Sequence, residues 1–394
     1  MHGRRLALPF ILLIVGCQPT PIVTTPASLA APGVPTAAAS STPAQASPDV
    51  VATAEINDLV TTMASFVLAG DRDNYLALVD QSDPVFAIEH GRWADDWSGP
   101  HPVIDYVLDV VDIKVDGDTA TGVLTVGWSI EGDQSDQDMR TATFTGRFTR
   151  DDLGEWRYAG EAWTSTEVPN FVIRVAPGLE QEVAGVADEL PAIHDRVTSE
   201  LDFDPKGTLQ IKLYADGEAL VANTLLSLPV IAGWNEPGEA LKLVHRPDGP
   251  PLAPTIAHEL THFSLFDRAG TKRTRMPWWL DEGIASYVAA TLDGSERADF
   301  RIAQVVAWAA DDSLAEWADM AVFEETPVEL WAYVYPQGFA MVRFVTEEFG
   351  EERRNDWLAA MATDMTIVDA TPELLGRTFD QLDRDFRAWL STQR

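Results

Sequence analysis

The chain has 394 residues, of which 46% are hydrophobic, and its 62 acidic against 28 basic residues give a formal net charge of −34. This length allows two domains, each with its own core, and the charge argues against nucleic acid or an anionic membrane surface as a partner, because both repel an acidic protein. Strong acidity is instead typical of a soluble monomer.

The first 17 residues have the pattern of an export signal. Arg4 and Arg5 precede an apolar run over residues 6–15, which is too short to span a bilayer. Cys17 is the single cysteine of the chain, so neither a disulfide within the chain nor a cysteine-based metal site is expected. Its local sequence, Ile-Val-Gly-Cys, resembles the bacterial lipoprotein box and implies lipidation of Cys17. An ordinary secretory signal is the alternative.

Residues 18–49 are rich in Pro, Ala, Ser and Thr and contain almost no charged or aromatic residues. Such a segment cannot bury enough apolar surface to offset the entropy of ordering, so we expect a disordered tether. No later stretch combines transmembrane length with freedom from charge. The remainder is therefore expected to be soluble, extracytoplasmic and attached to the cell membrane by its lipid.

Residues 50–165 are expected to form a small α+β module. Apolar residues at helical spacing predict one helix over residues 50–69, followed by a loop that contains Trp93 and Trp97. Alternating apolar residues then predict four antiparallel strands, at 106–115, 119–130, 139–150 and 155–163. A helix on such a sheet resembles the NTF2-like cone, which often holds a ligand. Because no metal or catalytic spacing occurs here, a structural or docking role is favoured.

Residues 168–394 are expected to form a second α+β domain. Strands are predicted at 171–175 and 208–214 with a helix between them at about 179–201, and the sequence after residue 252 is nearly all helical. This order predicts a small mixed sheet, an active-site helix beneath it and a helical lobe. A cleft between the sheet and the lobe would accept an extended peptide.

The sequence His258-Glu259-Leu260-Thr261-His262 lies in an apolar-periodic run that predicts a helix. Two histidines four residues apart share one face of a helix, so both imidazoles can bind one zinc ion. Glu259 is rotated by roughly 100° from His258 and is better placed to act on a water molecule than on the metal. Glu259 is therefore the candidate general base.

A catalytic zinc ion usually has three protein ligands and one open position. Without a usable cysteine, the third ligand must be another histidine or a carboxylate. Glu282 meets this need, since it lies in a second predicted helix that begins near Pro277.

These motifs resemble those of gluzincin metallopeptidases, in particular the catalytic domains of aminopeptidase-N-type enzymes and their peptidase-MA-like relatives. In that family a Trp-Leu-x-Glu-Gly-x-Ala-x-Tyr segment supplies the third ligand, and residues 279–287 match it, with Asp281 where the aminopeptidases usually have Asn. The resemblance implies a thermolysin-like zincin fold. It also implies that Tyr335, in a Tyr-x-x-Gly motif at a helix start, supports the oxyanion, with Tyr333 as the second choice.

One departure from the family concerns substrate choice. Aminopeptidases of this group carry a Gly-x-Met-Glu-Asn strand whose glutamate binds the free amine of the substrate, whereas this chain has Ala-Gly-Trp-Asn-Glu-Pro at residues 232–237. An endopeptidase is therefore favoured over an aminopeptidase. The strand predicted at 241–245 is expected to act as a sheet edge that binds an extended peptide.

The sequence thus predicts a zinc metallopeptidase with His258, His262 and Glu282 as ligands and Glu259 as base. Its partner would be a peptide or protein substrate. The alternative is a lipid-anchored binding or assembly protein with a vestigial zinc site. Retention of Glu259 argues against that alternative, because a structural site needs no general base. A zinc hydrolase that acts on something other than peptides would have the same residues.

Overall fold

In a computed structural model, the structure describes residues 47–99, 101–131, 139–229, 231–245, 251–270, 272, 274–293 and 295–393. The predicted export signal with Cys17, and residues 18–46 of the predicted tether, lie outside the described residues. The part from Ser47 to Arg394 clusters as one unit.

Three helices open the described chain, α1 (Pro48–Ala69), α2 (Arg72–Leu76) and α3 (Pro84–Ser98). The side chain of Asp83 caps α3 by accepting backbone N–H groups from its first turn, and a proline follows at the first helical position, where no N–H is needed. Trp93 and Trp97 lie in α3 and are buried. The prediction of a loop around these two tryptophans was wrong.

A four-stranded antiparallel sheet packs against α1, and its strands are β1 (Val103–Asp116), β2 (Thr119–Ile130), β3 (Arg140–Arg150) and β4 (Trp156–Glu161). The strands pair in sequence order, so the predicted meander is confirmed. We call helices α1–α3 and strands β1–β4 the N-terminal module.

Helix α1 is long and apolar enough to cross a membrane, judged by length and composition alone. One face of this helix, however, carries Ile56, Val60, Met63 and Val67, all of which are buried in the core of the N-terminal module. The helical spacing that predicted α1 therefore corresponds to a face packed on the sheet.

A second sheet contains five strands, and two helices lie between its strands along the chain. In chain order these elements are β5 (Thr164–Val168), β6 (Phe171–Val175), α4 (Val183–Leu201), β7 (Leu209–Tyr214), α5 (Gly217–Ala222), β8 (Gly233–Trp234) and β9 (Leu241–Val244). The strand order is β5-β6-β7-β9-β8, with parallel pairs in the centre and an antiparallel pair at each edge. The predicted mixed sheet is confirmed.

The position of β9 in this sheet differs from the prediction. Strand β9 lies between β7 and β8, so both of its sides are at least partly paired. The outermost strand next to the cleft is β8, with Gly233 opposite Leu243 and Trp234 opposite Lys242. The prediction that residues 241–245 form the sheet edge was therefore wrong.

The described residues after β9 are mostly helical, and their helices form one core with the second sheet. These helices are α6 (Leu252–Ala269), α7 (Trp278–Asp293), α8 (Ser295–Ala310), α9 (Trp331–Phe349), α10 (Glu351–Ala362), α11 (Ile367–Ala370) and α12 (Phe379–Leu390). Short 3₁₀ turns lie at Glu180–Glu182, Trp317–Met320, Phe323–Glu325 and Val328–Leu330, and a π-helical turn at Thr371–Leu375. The mixture of two small sheets and many helices confirms the α+β class.

The second sheet is covered on both faces. Leu209, Ile211 and Leu213 of β7 point into the core shared with the helices, whereas Lys212 and Tyr214, on the opposite face, are buried as well. Those two polar residues bond to carboxylates of the N-terminal module: Lys212 to Glu89 of α3, and the Tyr214 hydroxyl to Glu161 of β4. The N-terminal module is thus joined to the sheet through buried polar contacts.

Candidate metal centre and catalytic cleft

His258 and His262 lie one turn apart on α6, as the sequence predicts. Their Nε2 atoms are 3.2 Å apart. The opposite side of the helix buries Ile256, Ala257 and Leu260 completely. This packing fixes the rotation of α6 about its axis and keeps both imidazoles on the cleft side.

Glu282 on α7 completes the group. Its Oε2 atom is 3.1 Å from Nε2 of His258 and 3.6 Å from Nε2 of His262. One donor atom from each of the three residues lies within 4.8 Å of the other two. The structure therefore brings together the three residues that the sequence predicts as ligands.

The spacing of these atoms fits a single metal ion. A tetrahedral zinc ion holds nitrogen and oxygen ligands at about 2.0–2.2 Å, which places neighbouring donor atoms roughly 3.3–3.6 Å apart. The distances of 3.1, 3.2 and 3.6 Å between the donor atoms lie within a few tenths of an ångström of that range. Two imidazoles and one carboxylate form a ligand set typical of catalytic zinc with one open position.

Two further residues orient these ligands. Oδ1 of Asp281 lies 3.0 Å from Nδ1 of His262, so Nδ1–H can donate to it while Nε2 stays available to a metal ion. The indole N–H of Trp278 donates to Oε1 of Glu282 at 3.0 Å and leaves Oε2 available to a metal ion. From the sequence, Asp281 stood out only as a departure from the family, and Trp278 had no predicted role.

The electrostatics of the centre favour a charged, deprotonated Glu282. Burial alone would raise the pKa of this carboxyl group, but His262 and His258 outweigh burial and hold the pKa well below its usual range. Burial likewise opposes charge on His262, while Asp281 and Glu282 raise the pKa of its imidazole. The acidic partners therefore make this pocket attractive to a cation.

Glu259 lies beside the three ligands and is 6% exposed. Burial raises the pKa of its carboxyl group, although His258 and His262 act in the opposite direction. The carboxylate approaches the backbone of Gly233 on β8 so closely that a Cβ atom placed there would lie 2.4 Å from Oε1. Because Gly233 has no side chain, the carboxylate of Glu259 can lie against the edge strand.

Helices α7 and α9 approach each other backbone to backbone next to the metal centre. A Cβ atom on Gly338 would lie 2.0 Å from the carbonyl oxygen of Trp279, and one on Gly283 would lie 2.5 Å from the carbonyl carbon of Gly338. The two glycines permit this contact, which brings Tyr335 of α9 close to α7. Tyr335 and Glu282 both line the cleft.

The ring centroid of Tyr335 lies 6.4 Å from that of His258. Burial raises the pKa of its hydroxyl group, so the phenol keeps its proton as a donor at neutral pH. Tyr333, the second choice, packs instead on Trp308 with ring centroids 4.4 Å apart. Tyr335 lies in the second turn of α9, which begins at Trp331, so the prediction that the motif starts a helix was wrong.

A cleft of about 1100 Å³ runs past this centre, bordered by β8 on one side and by α7 and α9 on the other. The three ligands, Glu259 and Tyr335 all line it. Glu236 is a further lining residue, which sequence reasoning missed. Burial raises the pKa of its carboxyl group to about 7, so its charge changes near neutral pH.

Comparison with protein families addresses the segment that carries this centre. Residues 253–392 match the family model described as the Peptidase MA superfamily. The matched segment contains all of the ligand candidates, Glu259 and Tyr335. The match supports a peptidase-MA domain, of the gluzincin kind expected from the motifs, in this part of the chain. Metal-dependent peptide hydrolysis is the activity that such a domain suggests.

The remaining comparisons add little to the peptidase-MA match. No curated protein matches the chain. A solved structure of Rv3472, a protein of unknown function from Mycobacterium tuberculosis, is 17% identical over an alignment that covers 28% of this chain and 69% of that one. The TM-score is 0.21, and at this value the likeness carries no argument about the fold.

Proposed function

We propose that this protein is a zinc-dependent peptidase that acts outside the cytoplasm. One observation carries the proposal: the donor atoms of His258, His262 and Glu282 converge at spacings that suit one tetrahedral ion, next to the buried carboxyl group of Glu259. The peptidase-MA match over residues 253–392 agrees with it. We assign a thermolysin-like zincin fold to the second sheet and the helices that follow it.

Each residue has a distinct task in this proposal. His258, His262 and Glu282 would hold the zinc ion, and Asp281 and Trp278 orient two of these ligands. When bound there, zinc supplies Lewis acidity, which polarises a carbonyl group and makes a water molecule more acidic.

The protein's own residues then move the proton and hold the developing charge. Glu259 takes the proton from the attacking water and later passes it to the leaving amine. The hydroxyl group of Tyr335 donates a hydrogen bond to the oxyanion that develops on the scissile carbonyl.

We favour an endopeptidase over an aminopeptidase. Strand β8 forms the edge of the sheet beside the cleft, and an extended peptide can pair with such an edge through its backbone. Residues 233–237 also match the aminopeptidase motif only at Gly233 and Glu236, and they differ from it at Asn235 and Pro237. An unblocked and an N-acetylated version of one cleaved peptide would distinguish the two, because only an aminopeptidase requires the free amine.

The setting of the enzyme is also part of the proposal. We place it on the outer side of a bacterial cell membrane, as a monomer held by a lipid on Cys17, with peptide or protein substrates and no nucleic-acid partner. The N-terminal module, with helices packed on a four-stranded antiparallel meander, is assigned to the NTF2-like folds. Mass spectrometry of the membrane-extracted protein would show an acylated N-terminal cysteine, and a Cys17→Ala variant would lose membrane attachment.

Activity is tested with the Ser47–Arg394 unit, which retains the cap residue of α1. The zinc-loaded protein, the chelator-treated protein and a zinc-loaded Glu259→Gln variant are incubated with a mixed peptide library, and products are read by mass spectrometry. We expect cleavage by the first sample alone, with equal zinc content in the first and third. Zinc binding without cleavage by the wild type would instead favour a binding or assembly protein with a vestigial site.

A further inference from the structure

The cleft wall that faces the metal centre is built from residues 231–236, which we call the cleft-edge segment. All six residues line the cleft, and the segment contains β8. It touches the candidate general base twice, since Gly233 lies against the carboxylate of Glu259 and the side chain of Asn235 donates to the Glu259 carbonyl oxygen at 3.4 Å. The position of this segment therefore affects both the peptide-binding edge and the surroundings of the base.

The chain just before the cleft-edge segment is buried in the N-terminal module. Val221, Ala222, Leu226 and Leu228 belong to the hydrophobic core of that module and are at most 4% exposed. A cavity of about 20 Å³, enough for roughly one water molecule, remains beside Ala222. This stretch of chain is thus packed into the interior of the module.

Two tryptophans of the module bind this buried stretch through its backbone. The indole N–H of Trp93 on α3 donates to the carbonyl oxygen of Ala222 at 2.9 Å, and that of Trp128 on β2 donates to the carbonyl oxygen of Leu226 at 3.0 Å. Both tryptophans are at most 2% exposed. Because these bonds are buried and directional, they fix the position of the backbone, which hydrophobic packing alone would not do.

Charged residues of the module hold the same stretch closer to the cleft. Asp96 accepts both the backbone N–H and the hydroxyl group of Ser227, at 3.0 and 2.6 Å. Arg140 donates to the carbonyl oxygen of Leu228 at 2.6 Å. Hydrogen bonds with a charged partner are shorter and stronger than neutral ones.

The chain just after the cleft-edge segment is held by the module as well. Arg92 of α3 donates to the carbonyl oxygen of Pro237 and to the carboxylate of Glu239, both at 2.7 Å. Glu89 accepts the backbone N–H of Ala240 at 3.1 Å. The module therefore holds the backbone on both sides of the cleft-edge segment and leaves the segment itself facing the cleft.

We infer that the N-terminal module positions the substrate-binding edge of the catalytic cleft, with Trp93, Trp128 and Asp96 as positioning residues. The inference rests on the proposed function for its enzymatic consequence. Loss of the anchors reduces the fraction of molecules whose β8 edge is in place, and apparent substrate affinity falls by that fraction. Zinc binding stays unchanged, because the metal ligands lie on α6 and α7.

The chain offers a matched control for this inference. The indole N–H groups of Trp97 and Trp156 are buried in the same module and have no hydrogen-bond partner among the described residues. A Trp93→Phe/Trp128→Phe double variant and a Trp97→Phe/Trp156→Phe double variant therefore remove the same atoms from similar surroundings. Only the first pair loses bonds to the stretch before the cleft-edge segment.

Amide hydrogen exchange of the Ser47–Arg394 unit is the primary measurement, because it does not depend on activity. We expect amides of residues 232–235 and 242–244 to exchange roughly tenfold faster in the Trp93/Trp128 variant than in the control variant, with equal zinc affinity. With a library peptide that the wild type cleaves, we expect KM to rise roughly threefold to tenfold in the first variant alone. Equal exchange rates in the two double variants would overturn the inference.

A gentler pair of variants covers the case in which the double variants do not fold. Asp96→Asn keeps the side-chain volume but weakens both bonds to Ser227, whereas Asp95→Asn changes an exposed neighbour that pairs with Arg72. Faster exchange at β8 in the first of these alone supports the inference, and identical exchange in both contradicts it. If the wild type cleaves no peptide, the proposed function fails, while the exchange measurements still decide whether the module positions the edge.

Discussion

Replacing Glu89 by glutamine removes one negative charge from a buried ion cluster that joins α3 to the second sheet. Oε2 of Glu89 is 2.5 Å from Nζ of Lys212, and Oε1 is 3.5 Å from Nζ of Lys242. The side chains of Glu89, Lys212 and Lys242 are 3%, 2% and 1% exposed. Water therefore cannot solvate the ammonium group of Lys212 once the carboxylate is gone. Lys242 keeps Glu239 as a partner at 2.6 Å, whereas Lys212 loses the carboxylate that bonds to it.

Loss of this buried charge should lower the stability of the fold by a few kcal/mol. Breaking a buried pair by removing one partner costs about 3–5 kcal/mol when the remaining charge is uncompensated. Because Glu161 still acts on Lys212, the lower end of that range applies. Independently, burial would raise the pKa of Glu89, but the two lysines outweigh burial and lower it from 4.5 to about 2. That difference corresponds to about 3 kcal/mol of stability at neutral pH. We therefore expect Glu89→Gln to lower the free energy of unfolding by about 3 kcal/mol or slightly more.

Urea unfolding of the Ser47–Arg394 unit, followed by tryptophan fluorescence, measures this quantity. The matched control is Asp95→Asn, since Asp95 lies 2.5 Å from Arg72 but the two side chains are 62% and 37% exposed. An exposed pair contributes about 0–1 kcal/mol, so the control should unfold nearly as the wild type does. Equal unfolding free energies for the two variants would refute the assignment of stability to the buried cluster.

The destabilisation caused by Glu89→Gln should depend on pH. The folded-state pKa of Glu89 lies below its unfolded value, so its stabilising effect is present above about pH 4.5 and is lost as the pH falls toward 2. The gap in unfolding free energy between wild type and Glu89→Gln should therefore be constant above pH 5 and narrow below pH 4.5. A gap that stays constant down to the acid limit of folding would contradict the assignment of this stability to the Glu89 charge.

Three further predictions concern the cleft. Asp281→Asn should weaken zinc binding about tenfold to a hundredfold, measured by competition with a chromophoric chelator, because His262 loses its charged acceptor. Tyr335→Phe should lower kcat roughly a hundredfold to a thousandfold with little change in KM or zinc content; unchanged kcat would remove Tyr335 from the mechanism. Gly338→Ala should lower the free energy of unfolding, measured by thermal unfolding, by about 1–3 kcal/mol, because its Cβ would meet the Trp279 carbonyl oxygen. The control Gly185→Ala, with open space around its Cβ, should not destabilise the protein.

The grouping of the three candidate ligands could be predicted from the sequence because the information for it is local. The spacing of His258 and His262 fixes their shared helix face, and the apolar residues around Glu282 predict a second helix that packs beside it. Neither inference needs knowledge of distant contacts. The structure therefore brings the three predicted residues together, and their binding of zinc stays a prediction.

The elements that were missed depend on tertiary contacts. Strand β8 has two residues, too few for any periodicity, and is defined by its pairing with β9. The partners Glu89 and Lys212 are 123 positions apart, so nothing near Lys212 indicates that a strand lysine is buried. For α3 the sequence does contain a signal, since Asp83 followed by Pro84 is a typical helix start.

The backbone contact between Gly283 and Gly338 has a consequence for how this centre tolerates change. Glu282 immediately precedes one glycine and Tyr335 lies three residues before the other, so the distance between them is set by main-chain atoms. Substitutions elsewhere in the core can alter side-chain volumes without inserting anything between these two helices at that point. Sequence drift in the surrounding lobe should therefore leave the spacing of the two groups intact for as long as both glycines persist.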